Sequence, residues 1–174
     1  RGQAEVQIEW IDAQEREPVI VEVQPKPSIE VKDHRTASNP QAILQGLLAE
    51  GDVLIWAEGE GRSDMETRTR CGLVPSPRLA VWTLPPGPGQ FQAVPEQVEP
   101  KEVILFAHNP GLDEMNAFLL KLAGMIRFAV TKKDGQMEIE AASAKLAHRV
   151  STLVAGLEYL AAQGTIAIVE RGQD

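Results

Sequence analysis

Proline divides this chain. All twelve prolines lie at or before Pro110, and residues 111–174 hold none. Proline fixes φ and lacks the amide donor, so it is kept out of helix interiors and central strands. The first part must therefore be cut into short elements joined by loops, and the second is free to be helix-rich. At 174 residues the chain can form one or two compact units, with a core that needs neither disulfide nor structural metal. Apolar residues at 43% and charged residues at 24% exclude a disordered or fibrous chain.

Within the proline-rich part the hydrophobic pattern alternates between periods. Over residues 1–12, Ala4, Val6, Ile8 and Trp10 alternate with Glu5, Gln7 and Glu9, the period of a half-buried strand. Residues 19–23 read as a second strand, and Pro25 and Pro27 as a linker. A β/α rhythm follows. Residues 28–33 form a short strand, and Asn39-Pro40 opens a helix with Asn as cap and Pro at the first position. Ile43, Leu44, Leu47 and Leu48 give that helix one apolar stripe, and Gly51 stops it. Residues 52–57, 79–84 and 102–107 are continuous apolar runs, as expected of strands covered on both faces. Between them lie a polar loop at 58–78 with a turn of helix, a stiff turn at Gly87-Pro88-Gly89, and a short helix at 91–98.

After Gly111 the period becomes 3.6. Leu112, Met115, Phe118, Leu119, Leu122, Met125, Ile126, Ala129 and Val130 form one helical stripe that Lys132-Lys133-Asp134-Gly135 closes. A short strand at 136–140, a helix at 141–147, a longer helix at 150–161 and a last strand at 165–170 complete the order of a winged helix-turn-helix. The expected fold is thus α/β. A small parallel sheet in a three-layer unit spans 28–111, and a winged-helix-like helical subdomain spans 112–174.

The pattern offers little for catalysis. Asp33-His34-Arg35 is the closest Asp/His pair and lacks the further ligands that a metallonuclease needs. No Gly-x-Ser-x-Gly elbow and no phosphate loop occurs. Cys71 is the one cysteine, which rules out an internal disulfide and a multi-cysteine zinc site. Neither a catalytic nor a metal site is therefore assigned. Open parallel sheets place ligands beyond the carboxyl ends of their strands, and there Arg35, Glu58, Thr83, His108 and Asn109 would rim a cleft. Capping and loop fixation is the competing reading of those five.

Net charge is −8, which argues against a chain that coats nucleic acid. Residues 1–110 carry 10 basic and 17 acidic groups, against 7 and 8 in residues 111–174. The one basic stretch is 121–149, six cations against three acids. Lys121, Arg127, Lys132, Lys133 and Arg149 are the candidate contacts to nucleic acid or a partner. Ser151 and Thr152 join them from the outward face of the third helix of the winged unit. No apolar run is long enough to span a membrane, and no signal peptide opens the chain. With a free thiol, this points to the cytoplasm. The start at Arg1-Gly2, without Met, reads as a piece of a longer protein.

Three phrases carry a resemblance. Val103-Ile104-Leu105-Phe106-Ala107-His108-Asn109-Pro110, then Phe118-Leu119-Leu120-Lys121-Leu122-Ala123-Gly124-Met125, then Gly156-Leu157-Glu158-Tyr159-Leu160-Ala161-Ala162-Gln163-Gly164 resemble the C-terminal region of RecJ-type single-stranded-DNA-specific exonucleases. Val81-Trp82-Thr83-Leu84-Pro85-Pro86 fits the same region, and residues 1–12 are similar to the last strand of that family's oligonucleotide-binding barrel. The resemblance implies that residues 1–27 are the end of a truncated barrel plus linker. It also implies that the metal-dependent (Mn or Mg) 5′-to-3′ exonuclease chemistry lies in other domains of the parent, with no cofactor in this region. Asp33-His34-Arg35 departs from the family's Asp-His-His motif, so no catalytic residue carries over. The implied role is accessory. It would support the path of single-stranded DNA through the parent, or dock a partner such as the acidic, apolar tail of the single-stranded-DNA-binding protein. Such a tail calls for a basic rim beside an apolar groove. Two other readings compete: a stand-alone winged-helix regulator with a ligand-sensing α/β domain, and a small α/β enzyme with its cleft near His108.

Overall fold

Three continuous apolar runs in one chain segment require cover on both faces of a sheet, and the computed structural model shows how it is provided. It describes residues 28–59 and 65–169. The strand candidates at 1–12 and 19–23 lie outside the described residues. The elements are β1 (Glu30–Asp33), α1 (Pro40–Glu50), β2 (Val53–Trp56), a 3-10 turn (Arg70–Gly72), β3 (Arg78–Thr83), α2 (Pro88–Val98), β4 (Glu102–His108), α3 (Met115–Lys132), α4 (Ile139–Lys145) and α5 (Val150–Ala162). The strands form one parallel sheet in the order β1-β4-β3-β2. Parallel strands need crossovers: α1 carries the chain from β1 to β2 at the opposite edge, and α2 joins β3 to its neighbour β4.

Alternate residues of β2, β3 and β4 face opposite layers. Leu44 of α1 packs on Ile55, Ala57, Ala80, Trp82, Ile104 and Phe106. Val94 and Val98 of α2 pack on the other set, Trp56, Leu79, Val81 and Val103. Both sets are buried, so the strands read as unbroken apolar runs rather than alternating ones. At the sheet's amino end Glu102 lies between Lys32 of β1 and Arg78 of β3, at 2.5 and 3.2 Å. The Lys32 hydrogen bond holds the Glu102 carboxyl below the ordinary carboxylate range.

The α1 boundaries follow their capping residues. Asn39 Oδ1 accepts from the Ala42 amide at 3.1 Å. Gly51, at φ +87°, donates to Leu48 O at 3.2 Å. Helix α2 departs from expectation. Gly87-Pro88-Gly89 is not a free-standing turn: Gly87 caps the helix and Pro88 is its first residue, where the missing amide costs nothing. Pro95 lies inside α2, and Glu99 in the left-handed region ends the helix four residues later.

Helices α3, α4 and α5 enclose a second core of Phe118, Leu122, Ala142, Leu146, Leu153 and Leu160. The end of α3 closes as its sequence requires. The amides of Lys133 and Gly135 both donate to Ala129 O, with Asp134 at φ +50° and Gly135 at φ +80°. The expected wing strands are absent among the described residues. Residues 136–138 form an irregular connection, Ile139 and Glu140 open α4, and residues 165–169 belong to no strand. Met137, Ile139 and Ile166 instead pack directly on the helical core, so burial rather than strand pairing accounts for their apolar pattern. Among the described residues no helix is long and apolar enough to cross a membrane.

Two glycines in helices give opposite expectations. A Cβ on Gly156 would lie 2.7 Å from Phe118 and 2.8 Å from Leu122, whereas one on the exposed Gly46 of α1 meets nothing within 4 Å. Gly156→Ala is expected to lower stability by about 1–3 kcal/mol through overpacking. Gly46→Ala should raise it by up to about 1 kcal/mol through helix propensity. Urea midpoints at unchanged m-value read both.

Candidate functional site

The carboxyl end of the sheet is the first place to look for a ligand. Asp33-His34-Arg35 leave β1, Glu58 follows β2, Thr83 closes β3 and His108-Asn109 close β4. Strand β4 carries one extra residue there. Val81 pairs with Leu105 but Thr83 with His108, and Ala107 takes φ +50°.

Most of these side chains are committed to neighbours within the chain. Glu58 is fully buried. Its Oε1 accepts from Trp56 Nε1 at 2.7 Å and from the Arg70 amide at 2.9 Å, and its Oε2 lies 3.6 Å from Arg70 Nη1. The Glu58 amide donates to Thr83 Oγ1 at 2.6 Å. Arg70 then reaches across to the helical unit, donating through Nη2 to Ser143 Oγ at 2.8 Å and His148 O at 2.6 Å. The Gly59 amide donates to Ala144 O at 2.9 Å beside it. Arg35 turns back on Asp33 with bonds of 2.6–3.1 Å, which lowers the exposed Asp33 carboxyl to about 2. Asn109 accepts from the Gly111 amide and donates to Asp113 Oδ2, both at 2.7 Å, forming the turn out of β4. His108 stands edge-on to Trp82 with centroids 4.4 Å apart, and its Nε2 has no partner among the described residues. Among the described residues no three His, Cys, Asp or Glu side chains gather to hold a metal ion.

The helical unit offers a different kind of site. One stripe of α3, Lys121, Gly124, Met125, Phe128 and Ala129, faces one stripe of α4, Ala141, Ala142 and Lys145. Lys133, Gln136, Met137 and Glu138 close the space between them, leaving a groove of about 400 Å³. Lys121, Gly124, Met125 and Phe128 have the i, i+3, i+4, i+7 spacing of one helix face, and Ala141, Ala142 and Lys145 follow it on α4 at i, i+1 and i+4. Its lining combines small residues (Gly124, Ala129, Ala141, Ala142) with the larger apolar side chains of Met125, Phe128 and Met137. Three lysines and one glutamate border it. A second, wider cleft of about 800 Å³ lies between α3, residues 134–139 and residues 165–169, and is largely aliphatic.

The candidates from the basic stretch therefore separate. Lys121 and Lys133 border the groove. Arg127 and Lys132 are exposed on α3 away from it. Arg149 lies in the seam between the two units: its guanidinium packs against Gly87, and Nε donates to Pro86 O at 3.3 Å. Ser151 and Thr152 occupy the first turn of α5. Lys145 is the functional candidate that sequence reasoning missed. Its signal was present, since Glu138, Ala141, Ala142 and Lys145 share one helical spacing, but only the packing of α4 on α3 pairs that face with the lysines of α3.

No protein-family model, curated protein or solved structure matches this chain. The residues and their geometry carry the functional argument.

Arg70→Ala would leave the Glu58 carboxylate buried without its counter-charge. It is expected to cost about 3–5 kcal/mol, and Glu58→Gln in the same chain should recover part of that loss in a double-mutant unfolding cycle. For Asp33, the folded value lies below the ordinary ~3.9 of a free aspartate. Its contribution to stability is therefore complete above that ordinary value and disappears as pH falls through about 2. An NMR titration should find that midpoint, and Arg35→Ala should restore the ordinary one.

Proposed function

We propose that this chain is an accessory docking module, the non-catalytic C-terminal region of a RecJ-type single-stranded-DNA exonuclease. Its α3–α4 groove receives an acidic, apolar peptide tail from a partner. The partner that the resemblance implies is the single-stranded-DNA-binding protein. The observation that carries this reading is the groove itself: an apolar lining with Lys121, Lys133 and Lys145 against the one acid, Glu138.

The chemistry matches such a tail part by part. An apolar side chain leaves water against Met125, Phe128 and Met137, while carboxylates meet ammonium groups at the border. The border charges act chiefly on encounter rate and selectivity, and the buried anchor on residence time. In this reading the metal-dependent cleavage belongs to other domains of the parent. A winged-helix regulator would place Arg149 on DNA, but here that side chain is engaged with the loop before α2. A small enzyme would need a free acid or base beside His108, but Glu58 is enclosed by Trp56 and Arg70.

Fluorescence anisotropy of a labelled acidic nonapeptide with one phenylalanine tests the reading. Binding should appear at low salt and weaken as salt rises. Lys133→Glu with Lys145→Glu should reduce affinity at least about tenfold, while Arg127→Ala, outside the groove, should leave it within about twofold. Equal binding by the wild type and the double variant would sink the proposal, as would no binding at low salt.

A further inference from the structure

We infer that the outer edge of β1 is a self-association surface, on which a second copy of this chain lays its own β1 antiparallel, with Val31 opposite Val31. The two edges of the sheet differ. Along β2 the edge is covered: Trp56 bridges to Arg68, the Arg68 amide donates to Ile55 O and the Ala57 amide to Arg68 O, both at 2.9 Å. The other edge strand is β1, and no described residue pairs with its outer side. All four of its residues are exposed. Val31 is 58% exposed and Ile29, just before the strand, 37%. Proline or a bulge ordinarily blunts such an edge. Residues 28–33 contain no proline, and the register with β4 is unbroken. Its charges, Glu30 and Lys32, are opposite in sign, so the strand is complementary to itself when reversed.

Hydrogen bonding fixes which residues face outward. The Glu30 amide donates to Lys101 O at 2.9 Å and the His34 amide to Leu105 O at 2.8 Å. Alternate residues of a parallel strand serve one neighbour, so even positions serve β4 and the peptide groups of Val31 point away from it. Val31 opposite Val31 of the second copy is then a hydrogen-bonded pair, each giving its amide to the other's carbonyl. That register sets Glu30 opposite Lys32 of the second copy, and Lys32 opposite its Glu30, in the pairs whose side chains lie closer. The sheet's own charges favour this neighbour. Glu30 and Glu102 are register partners on adjacent strands, an acid beside an acid, and Arg78 follows on β3. Lys32 is committed to Glu102 at 2.5 Å and stands 3.9 Å from Glu30. A lysine arriving beyond Glu30 completes the row. The contact is isologous and closes at two copies. Four-residue edges make it small, so the association belongs to the weak, transient class.

Sedimentation equilibrium of the full chain, from about 10 μM to about 1 mM, tests the inference, with a monomer–dimer Kd expected on the order of 0.1 mM. Glu30→Lys places lysine opposite lysine twice and should weaken the dimer at least about tenfold. Lys32→Glu places acid opposite acid and should do the same, while Glu102 keeps Arg78 at 3.2 Å. An equimolar mixture of the two variants restores both opposite-charge pairs and should associate within about threefold of the wild type. Recovery in the mixture cannot come from a misfolded chain. Val31→Pro removes the outward amide, spares the ladder to β4 and should abolish association. A wild type that stays monomeric to about 1 mM would overturn the inference. So would Glu30→Lys or Val31→Pro associating as the wild type does, or a mixture no better associated than its separate components.

Discussion

The buried ion pair of Glu58 and Arg70 holds the two units in one arrangement. A carboxylate removed from water is tolerated only when hydrogen bonds and a counter-charge replace its solvation. Here Trp56, an amide and the Arg70 guanidinium do so. The same guanidinium donates to Ser143 and to the His148 carbonyl, so neutralising Glu58 and fastening α4 to the sheet are one act. Arg149 on Pro86 and the Gly59 amide on Ala144 O reinforce the seam. The carboxyl end over β2 and β3, where an open α/β sheet would ordinarily receive a ligand, is thereby given to an internal joint. Glu58 and Thr83, at the ends of β2 and β3, are thereby committed to partners within the chain.

Much of the α/β unit was legible because its rules are local. Asn39-Pro40 and Gly51 delimit α1 through capping chemistry that needs no tertiary knowledge. The unbroken apolar runs at β2, β3 and β4 implied cover on both faces, and α1 and α2 provide it. Legibility failed where two signals shared one pattern. Met137 and Ile139 alternate like a strand, but a pair two apart can equally face a helical core from an irregular connection and a helix start. The extent of α2 was obscured by its prolines: Pro88 at the first position is a helix signal, whereas Pro95 within the helix is an override by packing of Val94 and Val98.

The candidate site shows the same division more sharply. Each of Arg35, Glu58, Thr83, His108 and Asn109 was placed correctly at strand ends by counting along the chain. What they do there depends on partners distant in sequence, such as Thr83 for the Glu58 amide, and spacing does not encode those. Lys121 and Lys133 were visible as part of a basic stretch, but one-dimensional charge counting also admitted Arg149, whose role is set by Gly87 and Pro86 from the other unit. Lys145 lies in the same stretch and gains meaning only from the face of α4 that meets α3.

In the docking reading an acidic chain would recruit an acidic ligand, which poses an electrostatic problem that the distribution of charge bears on. Seventeen of the acids precede residue 111, where they meet ten cations, while the helical part is nearly balanced. Salt screens exposed charges over about 8–10 Å at physiological ionic strength. A ligand at the groove therefore responds mainly to Lys121, Lys133, Lys145 and Glu138, not to the net charge of the whole chain. In that reading the acids of the sheet unit would add selectivity, since a carboxylate-rich tail gains nothing by lying against them. Its orientation follows from the same division of labour. In the docking reading the ammonium groups at the border would place the chain of acids, and the apolar lining would take the side chain that leaves water.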